Sequence, residues 1–243
     1  MPLGNETVKI LMLHGHGQSD KSFECKTRFL QKTVEQSFPA EQAKGSASSR
    51  AISFRYLSGP LPANPDEPED GCRAWGYMDY NSERIKGIEE SIQSIKHILE
   101  HEGPFVGIIG FSSGAALAAI VASLLEGNNT MQGLNFKIDH PPLSFVISFS
   151  GFRLKNPHYQ TVYYRKIKTP MLHVIGELDP MIEPSQTIDL ANHCLNARIF
   201  EFYGYHYIPR NETHFPPFMS NFIRNDALAY VGSDNEQDWV NVD

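Results

Sequence analysis

The chain has 243 residues, 41% hydrophobic and 20% charged, which suits one sizeable α/β domain and excludes a disordered or fibrous polymer. Lys and Arg number 21 against 28 Asp and Glu, and the resulting net charge of −7 argues against general binding to nucleic acid or anionic membrane. Cys25, Cys72 and Cys194 are widely spaced with no Cys-x-x-Cys pair, and they read as reduced thiols of a cytosolic or nuclear protein.

The first expected strand is Val8–Leu13, followed at once by His14-Gly15-His16-Gly17-Gln18-Ser19. Two glycines just past a strand suit a loop whose backbone approaches a ligand closely. A strand followed by His-Gly-x-Gly is also where α/β hydrolases place an N–H that helps to hold an oxyanion, and here that donor falls on His16, with Gly17 as the second choice. His14 and His16 with Asp20 offer a rival reading as metal ligands, but no further ligands follow at a recognisable spacing, so no metal is expected. Residues 21–38 then carry apolar side chains at helical spacing, Pro39–Arg50 reads as a surface loop, and residues 51–57 form the next strand.

A long loop, residues 58–81, comes next. It holds four prolines, an acidic group and then Trp75, Tyr77 and Tyr80. Such a loop leaving a strand end is often a lid or binding loop, so Trp75 and Tyr77 are expected to wall a substrate pocket. Residues 82–101 read as a helix with a buried isoleucine stripe, and 104–109 as a strand.

Gly110-Phe111-Ser112-Ser113-Gly114 joins that strand to the alanine-rich run 115–122. Strand, Gly-x-Ser-x-Gly, helix is the context in which this motif presents a nucleophilic serine on a sharp turn. The turn is crowded, so the residues two places either side of Ser112 must be small. The N–H of Ser113 would supply a second oxyanion donor.

Further strands are expected at 143–149, 171–175 and 198–202, with a loop or short helix at 153–169 and helices at about 184–195 and 214–230. His173 lies inside an apolar strand and reads as a core histidine. Asp179 lies just past one strand end and His206 just past the next, with Glu177 and His214 as second choices for the acid and the base. Alternating strands and helices imply a mainly parallel sheet covered on both faces. The order Ser112, Asp179, His206 is the chain order of an α/β-hydrolase triad, and that fold and a serine hydrolase needing no cofactor are expected. The other readings are a non-catalytic binding protein on the same fold and a metal-dependent hydrolase. Residues 1–230 are expected as a single domain and 231–243 as an acidic, disordered tail. No window approaches 18 apolar residues and the first nine residues have no basic start, so neither a membrane span nor a secretory leader is expected.

From about Val8 to Phe222 the chain resembles the FSH family of eukaryotic serine hydrolases. The likeness rests on Leu13-His14-Gly15 with Gly17-Gln18-Ser19, Gly59-Pro60, Ala74-Trp75, Gly103-Pro104-Phe105, the run from Gly107 to Ser112, Ser148 to Phe152, Gly176 to Asp179, and His206 with Pro209. It implies a catalytic Ser112, Asp179 and His206 acting on small-molecule carboxyl esters or thioesters of acyl chains. The chain departs from the family in two places. Ser113 stands where Gln is frequent, and Gly204-Tyr205-His206 stands where Gly-Gly-His is frequent, so Tyr205 is expected to narrow the pocket.

Overall fold

The structure is a computed structural model and describes residues 7–38, 41–43, 46–48, 51–68 and 71–229. The tail expected at 231–243 lies outside the described residues. The central sheet has six strands: β1 (Val8–Leu13), β2 (Ile52–Leu57), β3 (Gly107–Phe111), β4 (Phe145–Phe149), β5 (Met171–Gly176) and β6 (Ala197–Phe202). Their spatial order is β2-β1-β3-β4-β5-β6, and every pairing is parallel. The order reverses between β1 and β3, so the loops after these two strands run to opposite sides and leave a crevice at the carboxyl edge. β3 and β4 are buried along their whole length, as expected for a parallel sheet covered on both faces.

Among the described residues, five α-helices cover the sheet: α1 (Asp20–Ser37), α2 (Ile88–Glu102), α3 (Ser113–Leu125), α4 (Pro184–Asn192) and α5 (Phe215–Asn221). Alternation along β1 divides the core. Leu11 and Leu13 pack with residues of α2 and α3, whereas Ile10 and Met12 pack with residues of α1 and α5. Every residue of α3 from Gly114 to Leu124 is buried, which explains why its alanine-rich sequence shows no polar face. Ser19 caps α1 reciprocally with Ser22, fixing where the chain leaves the His14–Gln18 loop.

Four stretches differ from expectation. Residues 41–43 and 46–48 form a short antiparallel pair within the expected surface loop. Residues 58–81 are also not structureless, because Leu61–Pro62 pairs with Arg73–Ala74 and Tyr77–Asp79 pairs with Arg84–Lys86. The second pair takes residues that the isoleucine spacing assigns to a helix. α2 starts only at Ile88 because Gly87 sits at φ +81°, a left-handed conformation that glycine adopts without strain. The closing helix, expected as one piece, passes from α5 into a π-helical turn at Phe222–Ala227. Residues 153–169 hold a 3₁₀ helix, Pro157–Tyr163. Among the described residues, no helix is long and apolar enough to cross a membrane.

Candidate active site

Ser112 is the link between β3 and α3, at φ 54° and ψ −119°. A non-glycine residue pays for that conformation and keeps it only where its surroundings enforce it. Its N–H donates to the carbonyl of Phe149 (2.8 Å), and its carbonyl accepts from the N–H groups of Ala115 and Ala116 (3.0 Å each). The two glycines of the motif are needed for contact distance. A Cβ at Gly110 would lie 2.6 Å from the Gly114 carbonyl oxygen, and one at Gly114 would lie 2.4 Å from the carbonyl oxygens of Leu13 and His14. The turn therefore fits only against a side-chain-free backbone.

Asp179 follows β5 and is 4% exposed. Its Oδ1 accepts the N–H groups of Met181 and Ile182, both at 2.9 Å. Its Oδ2 accepts from the Ser150 hydroxyl at 2.8 Å and from His206 Nδ1 at 2.7 Å. Burial pushes this carboxyl upward, but the bonds from Ile182, His206, Ser150 and Met181 outweigh it and hold the group below the usual range. The bond to an ionised carboxylate keeps the proton on Nδ1 of His206 and leaves Nε2 as an acceptor. The Phe111 ring packs on the imidazole, with centroids 4.7 Å apart. Because Phe111 precedes Ser112, this contact sets the imidazole beside the serine turn.

The turn after β5 and the loop after β6 are joined through their backbones. Glu177 N–H donates to Phe202 and Leu178 N–H to Gly204. A Cβ at Gly176 would lie 2.5 Å from the Tyr205 carbonyl oxygen, so glycine lets the His206 loop cross the end of β5. Glu177, the second choice for the acid, is exposed, and His214 stands at the start of α5.

In the loop after β1, Gly15 N–H donates to Oε1 of Gln18, Gly17 N–H to Arg73 and Gln18 N–H to Gly15. Among the described residues, the His16 N–H is the one in this turn without an acceptor. Ser113 N–H, at the first turn of α3, also has none, as the first residues of a helix cannot bond within it. Gly15 lies against Phe111 and Ser112, where a Cβ would be 2.7 Å from the Phe111 ring.

His14 is fully buried and structural. Its Nε2 accepts from Gly59 N–H (2.9 Å) and its Nδ1 donates to the Gly15 carbonyl (2.7 Å). Burial pushes its imidazole down to about 4. Trp75 lies against the His14 ring and donates its indole N–H to the His14 carbonyl at 2.7 Å. The long loop is thus tied to the end of β1 and the turn after it by His14, Trp75 and Arg73, whose carbonyl accepts from Gly17 N–H at 3.0 Å and whose N–H donates to the Gln18 carbonyl at 2.8 Å.

Phe111 and Ser113, on either side of Ser112, line two different cavities. One, of about 200 Å³, is apolar and is walled by Trp75, Met78, Ile88, Ala116, Leu117 and Ile120 among others. The buried hydroxyl of Ser113, which also lines it, has no partner among the described residues. The other, of about 290 Å³, contains His206 and is lined by Phe111 and Ile208 together with Gln18, Lys26, Tyr207 and Arg210. Trp75 therefore both anchors the loop and walls a cavity. Tyr77 instead turns its hydroxyl onto the Pro62 carbonyl, and Tyr205 is 60% exposed; neither lines the apolar cavity. Ser150 was not legible as a partner of the acid. The available signal was a Ser-Gly pair at the same sheet edge as Ser112, and it too has a positive φ, 48°.

Residues 3–217 match the family model described as Serine hydrolase (FSH1). The chain belongs to this family of serine hydrolases. It is 31% identical over 228 residues to Family of serine hydrolases 3 of Saccharomyces cerevisiae, covering 89% of this chain and 82% of that protein. It is 29% identical to Esterase OVCA2 of Xenopus tropicalis, covering 83% and 86% respectively. A Schizosaccharomyces pombe protein named dihydrofolate reductase also matches, 29% identical over 220 residues, but this chain spans only 46% of its length. Among solved structures, Zea mays acyl-protein thioesterase 2 superposes with a TM-score of 0.60 at 19% identity, covering 92% of this chain and 96% of that one. Arabidopsis thaliana SOBER1 gives 0.56 at 17%, covering 90% and 98%. The fold is that of the α/β hydrolases.

Proposed function

We propose that this family member hydrolyses carboxyl esters or thioesters of apolar acyl chains, with Ser112 as nucleophile, His206 as base and Asp179 as its orienting acid. The observation that carries the reading is the 2.7 Å bond from His206 Nδ1 to a buried Asp179 carboxylate, beside a serine held at positive φ. His206 Nε2 takes the proton of the Ser112 hydroxyl as Oγ attacks the acyl carbon. The N–H groups of His16 and Ser113 stabilise the oxyanion, a role worth roughly 3–4 kcal/mol per donor in enzymes where it has been measured. His206 then gives its proton to the departing oxygen or sulfur, the acyl–heteroatom bond breaks, and an acyl-Ser112 ester remains. A water, deprotonated by His206, attacks that ester, and the acid leaves as Ser112 regains its proton. The apolar cavity beside Ser113 supports an acyl chain as the group retained. The names of the curated relatives and of the thioesterase neighbour agree with esters and thioesters as the substrate class. The test is turnover of p-nitrophenyl esters and acyl thioesters by wild type and Ser112→Ala. Loss of turnover on both substrates in the variant is expected, and retained turnover would remove Ser112 from the mechanism.

A further inference from the structure

The second cavity bears on what leaves rather than on what is retained. On the triad reading above, on which this inference rests, His206 hands its proton to the departing atom, so the leaving group occupies the His206 side of Ser112. That side is the cavity of about 290 Å³, and Lys26 and Arg210 both line it together with Gln18 and Tyr207.

The two cations are brought together by α1. Lys26 and Phe29 lie three residues apart on that helix and so share a face. The Arg210 guanidinium sits over the Phe29 ring, 5.8 Å from its centroid, which directs it to the same space. Among the described residues, neither Lys26 nor Arg210 has a carboxylate within ion-pair distance. Glu212, two residues beyond Arg210, instead accepts the His214 N–H at 3.3 Å. The chain carries an excess of seven negative charges and has acids to spare. Two exposed cations without a carboxylate partner thus line the cavity of His206 and offer it a fork and a point charge, the combination that suits phosphate oxygens.

We propose that Lys26 and Arg210 select a leaving group bearing phosphate, so that the preferred substrate is an apolar acyl chain esterified to a phosphorylated thiol or alcohol. The reaction is the same hydrolysis, and the phosphate is held without being transferred.

Two matched substrate pairs test this. Octanoyl-coenzyme A and the octanoyl thioester of N-acetylcysteamine share acyl chain and scissile bond, but only the first thiol carries phosphate. Octanoyl glycerol-3-phosphate and monooctanoylglycerol form the equivalent oxygen-ester pair and separate alcohol from thiol sources. Wild type is expected to favour the phosphorylated member of at least one pair by about tenfold in kcat/KM, through KM, with the preference shrinking in about 0.5 M salt. Lys26→Gln and Arg210→Gln should each cut the ratio within that pair by roughly three- to tenfold. The ratio within one variant is its own control for folding. Equal use of both members in both pairs, or ratios unmoved by either substitution, overturns the leaving-group assignment. A fluorophosphonate probe on the same samples separates the two readings. If Ser112 is labelled and no preference appears in either pair, or neither pair is hydrolysed, this inference alone fails. If folded protein is not labelled at Ser112, the hydrolase reading fails with it.

Discussion

His206 Nδ1 and Asp179 Oδ2 are 2.7 Å apart, although 27 residues and a whole strand separate them in the chain. The carboxylate has all its near positions occupied: two backbone N–H groups on Oδ1, and a hydroxyl and the imidazole on Oδ2. Asp179→Asn cannot reproduce this pattern. With its oxygen on Met181 and Ile182, its NH₂ would face His206 and force Nδ1 to accept, moving the ring proton to Nε2, the atom proposed above as the base. We expect a 10³–10⁴-fold fall in kcat of about that order, with the thermal midpoint little changed. Ser150→Ala removes one of four donors and should cost kcat roughly tenfold or less. Steady-state kinetics on a p-nitrophenyl ester, with circular dichroism as the folding control, checks both.

Acid should weaken the fold through two buried histidines. Burial pushes both His14 and His173 down to about 4, against an ordinary value of 6.5. The unfolded chain therefore takes up these protons first as pH falls. Their stabilising effect is complete above about pH 6.5, is lost between there and about pH 4, and declines no further below it. Each group contributes a slope of up to about 1.4 kcal/mol per pH unit within that window. Urea midpoints at pH 7, 6 and 5 should fall steadily. His173→Leu should flatten the decline, because the ring nitrogens of His173 have no partner among the described residues and gain nothing from being polar.

Trp75 links loop stability to the pocket. Trp75→Phe keeps the ring but strands the buried His14 carbonyl, at a cost of about 1–3 kcal/mol. Trp75→Ala should cost about 3–5 kcal/mol and enlarge the apolar cavity. Denaturant titration gives the first effect. A shift of the acyl optimum toward longer chains gives the second.

Filling the same cavity should do the reverse. Ala116 and Ile120 lie one turn apart on α3 and both face it. Ala116→Leu is expected to move the preferred acyl group to shorter chains, with a loss of about tenfold or more in kcat/KM for each methylene that no longer fits. A series of esters of rising acyl length measures the displacement.

Much of this arrangement could be read from residues alone, and the exceptions have physical causes. Ser112, Asp179 and His206, the proposed triad, each follow an apolar strand in a chain whose alternation demands a parallel sheet, so a shared edge for them follows from topology. Gly110 and Gly114 are legible for the same reason, since a sharp turn leaves no room for Cβ. The stretch 82–87 was misleading because Ile85 continues the spacing of the α2 isoleucines. Only the left-handed Gly87 and the pairing of residues 84–86 with 77–79 decide against helix, and such pairing is non-local. Ser150 meets Asp179 only because β4 and β5 lie side by side, a pairing that is non-local. The cavities, and with them the divergent fates of Trp75, Tyr77 and Tyr205, depend on packing that no periodicity encodes.

The most direct test of the central claim is intact mass after exposure to a fluorophosphonate, with peptide mapping, on wild type and Ser112→Ala. A single adduct is expected on wild type, mapped to Ser112, and none on the variant. A folded wild-type protein that stays unmodified by both a small and a large probe, or an adduct that persists in Ser112→Ala, would contradict it.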